Sequence, residues 1–240
     1  AFVNRKGRWQ ASFAASADSE SAITIKDGDH TVSWHLEQAA PSEACRKDAQ
    51  VLVYPEILPG IDAEYHTAGQ AVKENLILKG AAQVPEDFTF VYHAEGLQAV
   101  QKGNRVLFTD ETGTEVFCMS APLMKDASGA KSEQLKVALE EDTEEKDTWR
   151  ITLMPDHSWL RDASRIYPVM VDPITTSSLK REEIEDTHVD SLNYGTNYQN
   201  SIYLKTMGGD NIQRSFLKFK LPELKTGDML IGAHLMMVSL

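Results

Sequence analysis

The segment Arg165-Ile166-Tyr167-Pro168-Val169-Met170-Val171-Asp172-Pro173 decides how the chain is divided. Tyr167, Val169 and Val171 alternate with residues that face the other way, which is the two-residue period of a β-strand. Proline lacks a backbone donor and restricts the residue before it to extended geometry, so Pro173 is expected to end this strand. The segment is therefore predicted to be the last strand of one domain.

The residues on either side of this strand differ in pattern. Before it, short alternating segments recur at intervals of about 8–15 residues without a long amphipathic helix, which predicts an all-β chain and a β-sandwich over residues 1–173. After it, the polar run Ile174-Thr175-Thr176-Ser177-Ser178 predicts a tether, and the linker is placed at residues 174–181. Residues 182–240 are predicted to be the first strands of a second β domain, cut short because the chain stops inside an apolar run.

Composition excludes several classes of protein. The chain has 240 residues, of which 42% are hydrophobic, so wholesale disorder is excluded. The formal net charge of −12 argues against nucleic acid or anionic lipid as a partner, because both carry negative phosphates. No run approaches the roughly 20 apolar residues that span a bilayer, so membrane insertion is not expected. Cys45 and Cys118 are too few for a disulfide scaffold and are interpreted as free thiols, with a bridge as the alternative.

The sequence offers no pattern typical of an active site. The seven histidines are scattered, without zinc-ligand spacing, and there is no phosphate-binding loop or nucleophile elbow. Asp62 and Glu64 share one face of a predicted strand, as the acid pair of a glycosidase would, although such pairs are common on exposed strands. Lys73 and Glu74 point to opposite faces of another strand and are interpreted as solvent-facing or cross-strand partners. The chain is therefore predicted not to be an enzyme.

The aromatic residues of the second domain carry the remaining functional signal. Tyr194, Tyr198 and Tyr203 lie in a stretch rich in Asn and Gly. Aromatic rings stack on the apolar faces of sugars, so Tyr194 and Tyr198 are candidate carbohydrate-binding residues, with ordinary loop aromatics as the alternative. Tyr203 is assigned to the core. No cofactor is expected beyond a structural calcium ion, for which Asp186 and Asp190 are the candidate ligands.

Several motifs together resemble a known group of proteins. They comprise the Y-x-x-I-x-x-G-x-D-x-x-Y block at 54–65, the Lys73-Glu74 pair, the segment 121–129 and the Y-P-V-x-x-D-P ending at 167–173. In this order they resemble the N-terminal region of RHS-repeat, wall-associated, polymorphic-toxin-like proteins secreted by Gram-positive bacteria. Residues 186–189 and 214–221, with Asn197 and residues 203–204, resemble the opening half of the DNRLRE domain that follows in those proteins.

The resemblance implies a function that the residues alone do not. It implies a β-sandwich without assigned activity, followed by a jelly-roll related to carbohydrate-binding modules. The chain would then be a non-catalytic module of an exported, secreted or cell-wall-associated protein. It would attach to carbohydrate or cell wall, or present a larger RHS or toxin region, with a purely structural spacer as the alternative. The expected partners are a glycan or cell-wall polysaccharide and the C-terminal part of the same polypeptide.

Overall fold

The computed structural model describes residues 2–3, 9–48, 50–68, 71–177, 184–198 and 204–219. Its strands are β1 Phe2–Val3, β2 Trp9–Phe13, β3 Ile23–Asp27, β4 His30–Leu36, β5 Cys45–Arg46, β6 Val51–Leu58, β7 Ile61–Ala68, β8 Ala71–Leu78, β9 Phe88–His93, β10 Gln98–Lys102, β11 Arg105–Thr109, β12 Glu115–Met119, β13 Leu123–Lys125, β14 Lys131–Ser132, β15 Lys136–Glu141, β16 Thr148–Met154, β17 Val169–Asp172, β18 Ile174–Ser177, β19 Ile184–Asp190 and β20 Gln213–Phe219. The helical turns are a 3₁₀ turn at Ala81–Gln83 and α1 at His157–Leu160.

The strands up to β18 form two antiparallel sheets. In the first sheet the order is β1-β2-β3-β4-β9-β16-β15. In the second, β5, β6, β7 and β8 lie side by side, and β8 then pairs with both β17 and β18. Beyond these two strands come β13 with β14, and β12 with β11 and β10. The predicted all-β class and β-sandwich are confirmed.

The core lies between the two sheets because alternate residues of each strand face inward. In β8 the inward series is Val72, Glu74, Leu76 and Leu78, all of them buried. The largest fully buried side chains are mostly aromatic and come from both sheets: Trp34, Tyr54, Phe88, Phe90, Tyr92, Phe108 and Phe117. Burial of this many rings is the main source of the sandwich's stability.

In the segment that ends the first predicted domain, the strand β17 covers Val169–Asp172 and does not include Tyr167, and the chain does not leave the sheet after it. Val169 and Val171 of β17 are fully buried, as the alternation predicts. The predicted tether is wrong for residues 174–177, because they form β18 between β8 and β12. As predicted, β17 ends directly before Pro173, but β18 begins directly after it, and the Pro173 carbonyl accepts a hydrogen bond from the Glu74 backbone N–H at 3.1 Å. The linker predicted at 174–181 therefore begins too early.

The described residues divide into two compact units, 2–177 and 184–219. The second unit contains the antiparallel pair β19 and β20, joined in register from Ile184 opposite Phe219 to Asp190 opposite Gln213. Its jelly-roll interpretation stays a prediction, and the apolar run predicted at 231–240 lies outside the described residues. Both cysteines are free, Cys45 exposed and Cys118 buried.

Candidate functional site

The two candidate carbohydrate-binding tyrosines lie in the loop between β19 and β20. Tyr194 is 92% exposed. Tyr198 is half-buried, and its ring stacks on His188 with 4.1 Å between ring centroids and 25° between planes. A ring covered on one side offers only its other face to a sugar. Tyr203 lies outside the described residues.

This loop is anchored by Asp190 at the end of β19. Its carboxylate accepts hydrogen bonds from the Leu192 backbone N–H at 2.9 Å, Gln213 Nε2 at 2.8 Å and Asn193 Nδ2 at 3.3 Å. These bonds, led by the one from Leu192, lower the pKa of Asp190. His188, two residues earlier on the same strand face, is buried, and neither ring nitrogen has a hydrogen-bond partner.

The calcium expectation gains no support from side-chain clustering. Asp186 is exposed, whereas Asp190 is buried and its oxygens already accept three hydrogen bonds. In the described part of the chain, no three His, Cys, Asp or Glu side chains are grouped so that they could hold a metal ion. A calcium ion at Asp186 and Asp190 stays a prediction.

Asp62 and Glu64 share a face of β7, but each carboxylate is bound to its own cation. Asp62 contacts Lys79 Nζ at 2.7 Å. Glu64 contacts Lys47 Nζ at 2.8 Å and His66 Nε2 at 2.6 Å. Burial alone would raise the pKa of Glu64, but the bonds from Lys47 and His66 outweigh it and the pKa is lowered. A general acid needs the opposite shift, so the arrangement is that of surface ion pairs.

A buried carboxylate, that of Glu74, lies at the centre of the sandwich. Glu74 of β8 is 3% exposed, so its interpretation as a solvent-facing residue is wrong, whereas its interpretation as a cross-strand partner is confirmed, because it lies opposite Tyr65 of β7. Its Oε2 accepts a hydrogen bond from Trp34 Nε1 at 3.1 Å, and its Oε1 accepts one from the Tyr65 hydroxyl at 2.5 Å. Trp34 belongs to the first sheet and Tyr65 to the second, so Glu74 joins the two sheets through polar bonds.

Aromatic rings extend this cluster through the core. Trp34 stacks on Tyr92 with 5.3 Å between centroids and 6° between planes. The Tyr92 hydroxyl lies 3.2 Å from Thr175 Oγ1 of β18. We call these five residues, Trp34, Tyr65, Glu74, Tyr92 and Thr175, the core clamp, because they link β4 and β9 of one sheet to β7, β8 and β18 of the other.

Burial sets the protonation of the core clamp. It raises the pKa of Glu74 to about 7, against the opposing effect of the bonds from Tyr65 and Trp34. It also raises the pKa values of Tyr65 and Tyr92, so both phenols keep their protons and remain donors. A carboxyl group enclosed in this way has a structural role, because a substrate cannot reach it. The signal was present in the sequence: Glu74 falls in the inward series of Val72, Leu76 and Leu78.

The fold and its buried clamp define a β-sandwich module whose polar centre is structural. The chain matches no protein-family profile, and no solved structure is detectably similar to it. Curated proteins similar to it include the tRNA(Glu)-specific nuclease WapA of Bacillus subtilis subsp. natto, the tRNA nuclease WapA of Bacillus subtilis strain 168 and the tRNA3(Ser)-specific nuclease WapA of Bacillus spizizenii. Each is 30% identical over 194 residues, and the alignment covers 74% of this chain but 8% of the relative.

These relatives bear on two of the expectations from the sequence. The WapA proteins are wall-associated proteins of the RHS type, which supports the resemblance seen in the motifs. The predicted secreted or cell-wall location is confirmed. The DNRLRE-like domain and carbohydrate binding stay predictions.

Among the described residues, no helix has the length and apolar character needed to cross a membrane.

Proposed function

We propose that this chain is a non-catalytic module of an exported bacterial cell-surface protein and that it presents a larger RHS or toxin region. The proposal rests on the small share of each relative that the chain covers, compared with the complete core that the chain itself contains. The chain aligns with 8% of the length of each nuclease relative, yet residues 2–177 form a sandwich with its own buried core. A unit with its own core folds as a domain. The tRNA cleavage for which the relatives are named would then belong to other parts of the polypeptide.

The geometry of the sandwich suits a module that bears load or holds a neighbour in place. Its strands are antiparallel, its core is aromatic, and the core clamp ties the two sheets together by hydrogen bonds as well as by packing. A buried polar network of this kind favours one packing of the sheets over alternatives. On this proposal the partner is the remaining part of the same polypeptide. A purely structural spacer or packing platform with no ligand of its own is the alternative.

The experiment compares the purified chain with the whole polypeptide. We expect the chain alone to leave RNA uncut, because the proposal assigns it no catalytic role. Deletion of residues 2–177 from the whole polypeptide should leave the specific RNase activity of the purified protein unchanged while reducing the amount displayed on the cell surface. RNase activity in the chain alone would contradict the proposal, as would normal surface display of the deletion variant.

Attachment to carbohydrate is a second candidate function, favoured by the exposure of Tyr194. A ring that is 92% exposed is available for stacking, and Tyr198 is held in place by its contact with His188. The ligand on this proposal is a glycan or cell-wall polysaccharide. Because the chain carries a net charge of −12, a neutral polymer fits better than an anionic one.

Binding to purified cell walls and to a glycan array tests this second function. Removal of a stacked ring should weaken binding about two- to tenfold, since an aromatic contact contributes roughly 0.5–1.5 kcal/mol beyond its area and 1.4 kcal/mol is a factor of ten. We therefore expect Tyr194→Ala and Tyr198→Ala to weaken binding. Leu192→Ala is the matched control, because Leu192 is a large side chain of the same loop and 67% exposed. If the unmodified chain is retained on neither surface, attachment is excluded and presentation remains.

A further inference from the structure

The last strand of the first sheet, β15, has a neighbouring strand on one side only among the residues that the structure describes. It pairs with β16, and the ladder runs from Lys136 opposite Met154 to Glu141 opposite Trp149. In an antiparallel strand, alternate residues direct both backbone polar groups to the same side. An edge strand therefore presents a row of donors and acceptors that a further strand can use.

In this protein two side-chain amides occupy that row. Asn104 Nδ2 donates to the Leu135 carbonyl at 2.7 Å, and Asn104 Oδ1 accepts from the Val137 N–H at 3.2 Å. Gln101 Nε2 donates to the Val137 carbonyl at 2.7 Å, and Gln101 Oε1 accepts from the Leu139 N–H at 3.1 Å. A primary amide has the same donor and acceptor as a peptide group, so the pair imitates the backbone of a neighbouring strand.

We propose that Gln101 and Asn104 form a side-chain latch that covers the outer edge of β15 and prevents it from pairing with β15 of a second copy of this chain. The latch comes from the second sheet, since Gln101 lies in β10 and Asn104 in the turn before β11. It therefore covers this edge of the sandwich with four hydrogen bonds, which come from side-chain amides and not from the backbone of a neighbouring strand.

A second copy is the occupant that the exposed edge would fit best. If two β15 strands paired antiparallel about Ala138, Val137 of one copy would lie opposite Leu139 of the other. Val137 of one copy and Leu139 of the other would then exchange both of their outward backbone hydrogen bonds. The same register would place Lys136 of each copy opposite Glu140 of the other, and opposite charges across a strand pair stabilise it. The sequence of β15 is thus complementary to itself.

The oligomeric state of latch variants tests the proposal. In the double variant Gln101→Met and Asn104→Leu, the side chains keep their approximate size but lose all four bonds. We expect this variant to sediment as a concentration-dependent dimer, whereas the unmodified chain and the control Gln98→Met do not form that dimer. Gln98 is an exposed residue of the same strand as Gln101, and its side chain makes no hydrogen bond to any residue that the structure describes.

A third substitution shows whether the dimer forms through β15. Leu139→Pro removes an outward N–H but leaves the bonds to β16, which are made by the alternate residues. Adding it to the double variant should restore the sedimentation of the unmodified chain. A folded double variant that does not associate overturns the proposal, and so does one that associates equally well with proline at position 139.

Hydrogen exchange in the unmodified chain tests the latch bonds even where the double variant does not fold. The Val137 and Leu139 amides should exchange slowly, as those of an interior strand do, because the latch occupies them. In Gln101→Met the Leu139 amide should exchange at least tenfold faster, while the Ala138 amide, which faces β16, should not change. Unprotected Val137 and Leu139 amides in the unmodified chain would overturn the proposal.

Discussion

At the scale of single residues, Glu74 makes the stability of the sandwich depend on pH. Its pKa rises from 4.5 to about 7 on folding, so the folded protein binds the proton more tightly than the unfolded chain does. Between these two values the folded state holds more protons, and its stability therefore falls as the pH rises. The contribution of Glu74 is complete below pH 4.5 and is lost by about pH 7. The loss amounts to about 3 kcal/mol at roughly 1.4 kcal/mol per unit.

The variant Glu74→Gln should remove this part of the pH dependence. A glutamine has nearly the same shape as a protonated glutamic acid, and its carbonyl can still accept the bond from Trp34. We expect urea unfolding at pH 4.5, 5.5, 6.5 and 7.5 to show a smaller decline for Glu74→Gln, and a variant at least as stable as the parent at pH 7.5. Glu111→Gln, in an exposed turn, is the control and should follow the parent. An unchanged decline in Glu74→Gln would show that other groups cause it.

At the scale of elements, β17 and β18 show where the sequence pattern misleads. Pro173 has the features of a strand end, and the residues after it are polar. Yet both strands pair with β8 in one continuous register, Val169 opposite Leu78 and Ile174 opposite Lys73. Proline removes one donor only, and the neighbouring strands change from β13 to β12 at the same place. One missing bond at such a junction costs about 1 kcal/mol, which the pairing on either side offsets.

The strand assignment of 174–177 predicts a large effect for Thr175→Pro. The substitution removes a donor from a strand paired on both sides, and it also removes the Thr175 hydroxyl from Tyr92. We expect the free energy of unfolding, measured with urea, to fall by about 3 kcal/mol or more. Glu133→Pro, in the exposed loop between β14 and β15, should change it little. Equal effects of the two prolines would mean that residues 174–177 are the tether that their composition suggests.

Local signals in the sequence were sufficient for strands and turns but not for strand partners. Ile23–Asp27 and His30–Leu36 were predictable because Asp27-Gly28 favours a tight turn, and Gly28 does have a positive φ of 62°. The pairing of β8 with β17 joins residues about ninety positions apart, and no local pattern encodes it. For the same reason the contact of Glu74 with Trp34 could not be foreseen, although alternation alone places Glu74 on the inward face.

At the scale of the whole molecule, the balance of charge restricts what the chain can bind. Its 36 acidic residues exceed its 24 basic ones, which gives the net charge of −12. Several of the basic side chains are also engaged: Lys47 with Glu64, Lys79 with Asp62, and Arg165 with Asp126. Binding to RNA phosphates requires cations that can replace condensed counterions. The module is therefore expected to bind a polyanion such as RNA only weakly.

We accordingly predict that the isolated chain does not retain RNA, even at low salt where electrostatic attraction is strongest. Electrophoretic mobility of a labelled single-stranded RNA and of an RNA duplex, in about 50 mM salt, should be unchanged by micromolar chain. A basic RNA-binding protein in the same assay provides the positive control. A shift that disappears as salt is raised would reveal a basic patch that the net charge conceals. A shift that is independent of salt would instead indicate base stacking, for which the exposed ring of Tyr194 would be the first residue to replace.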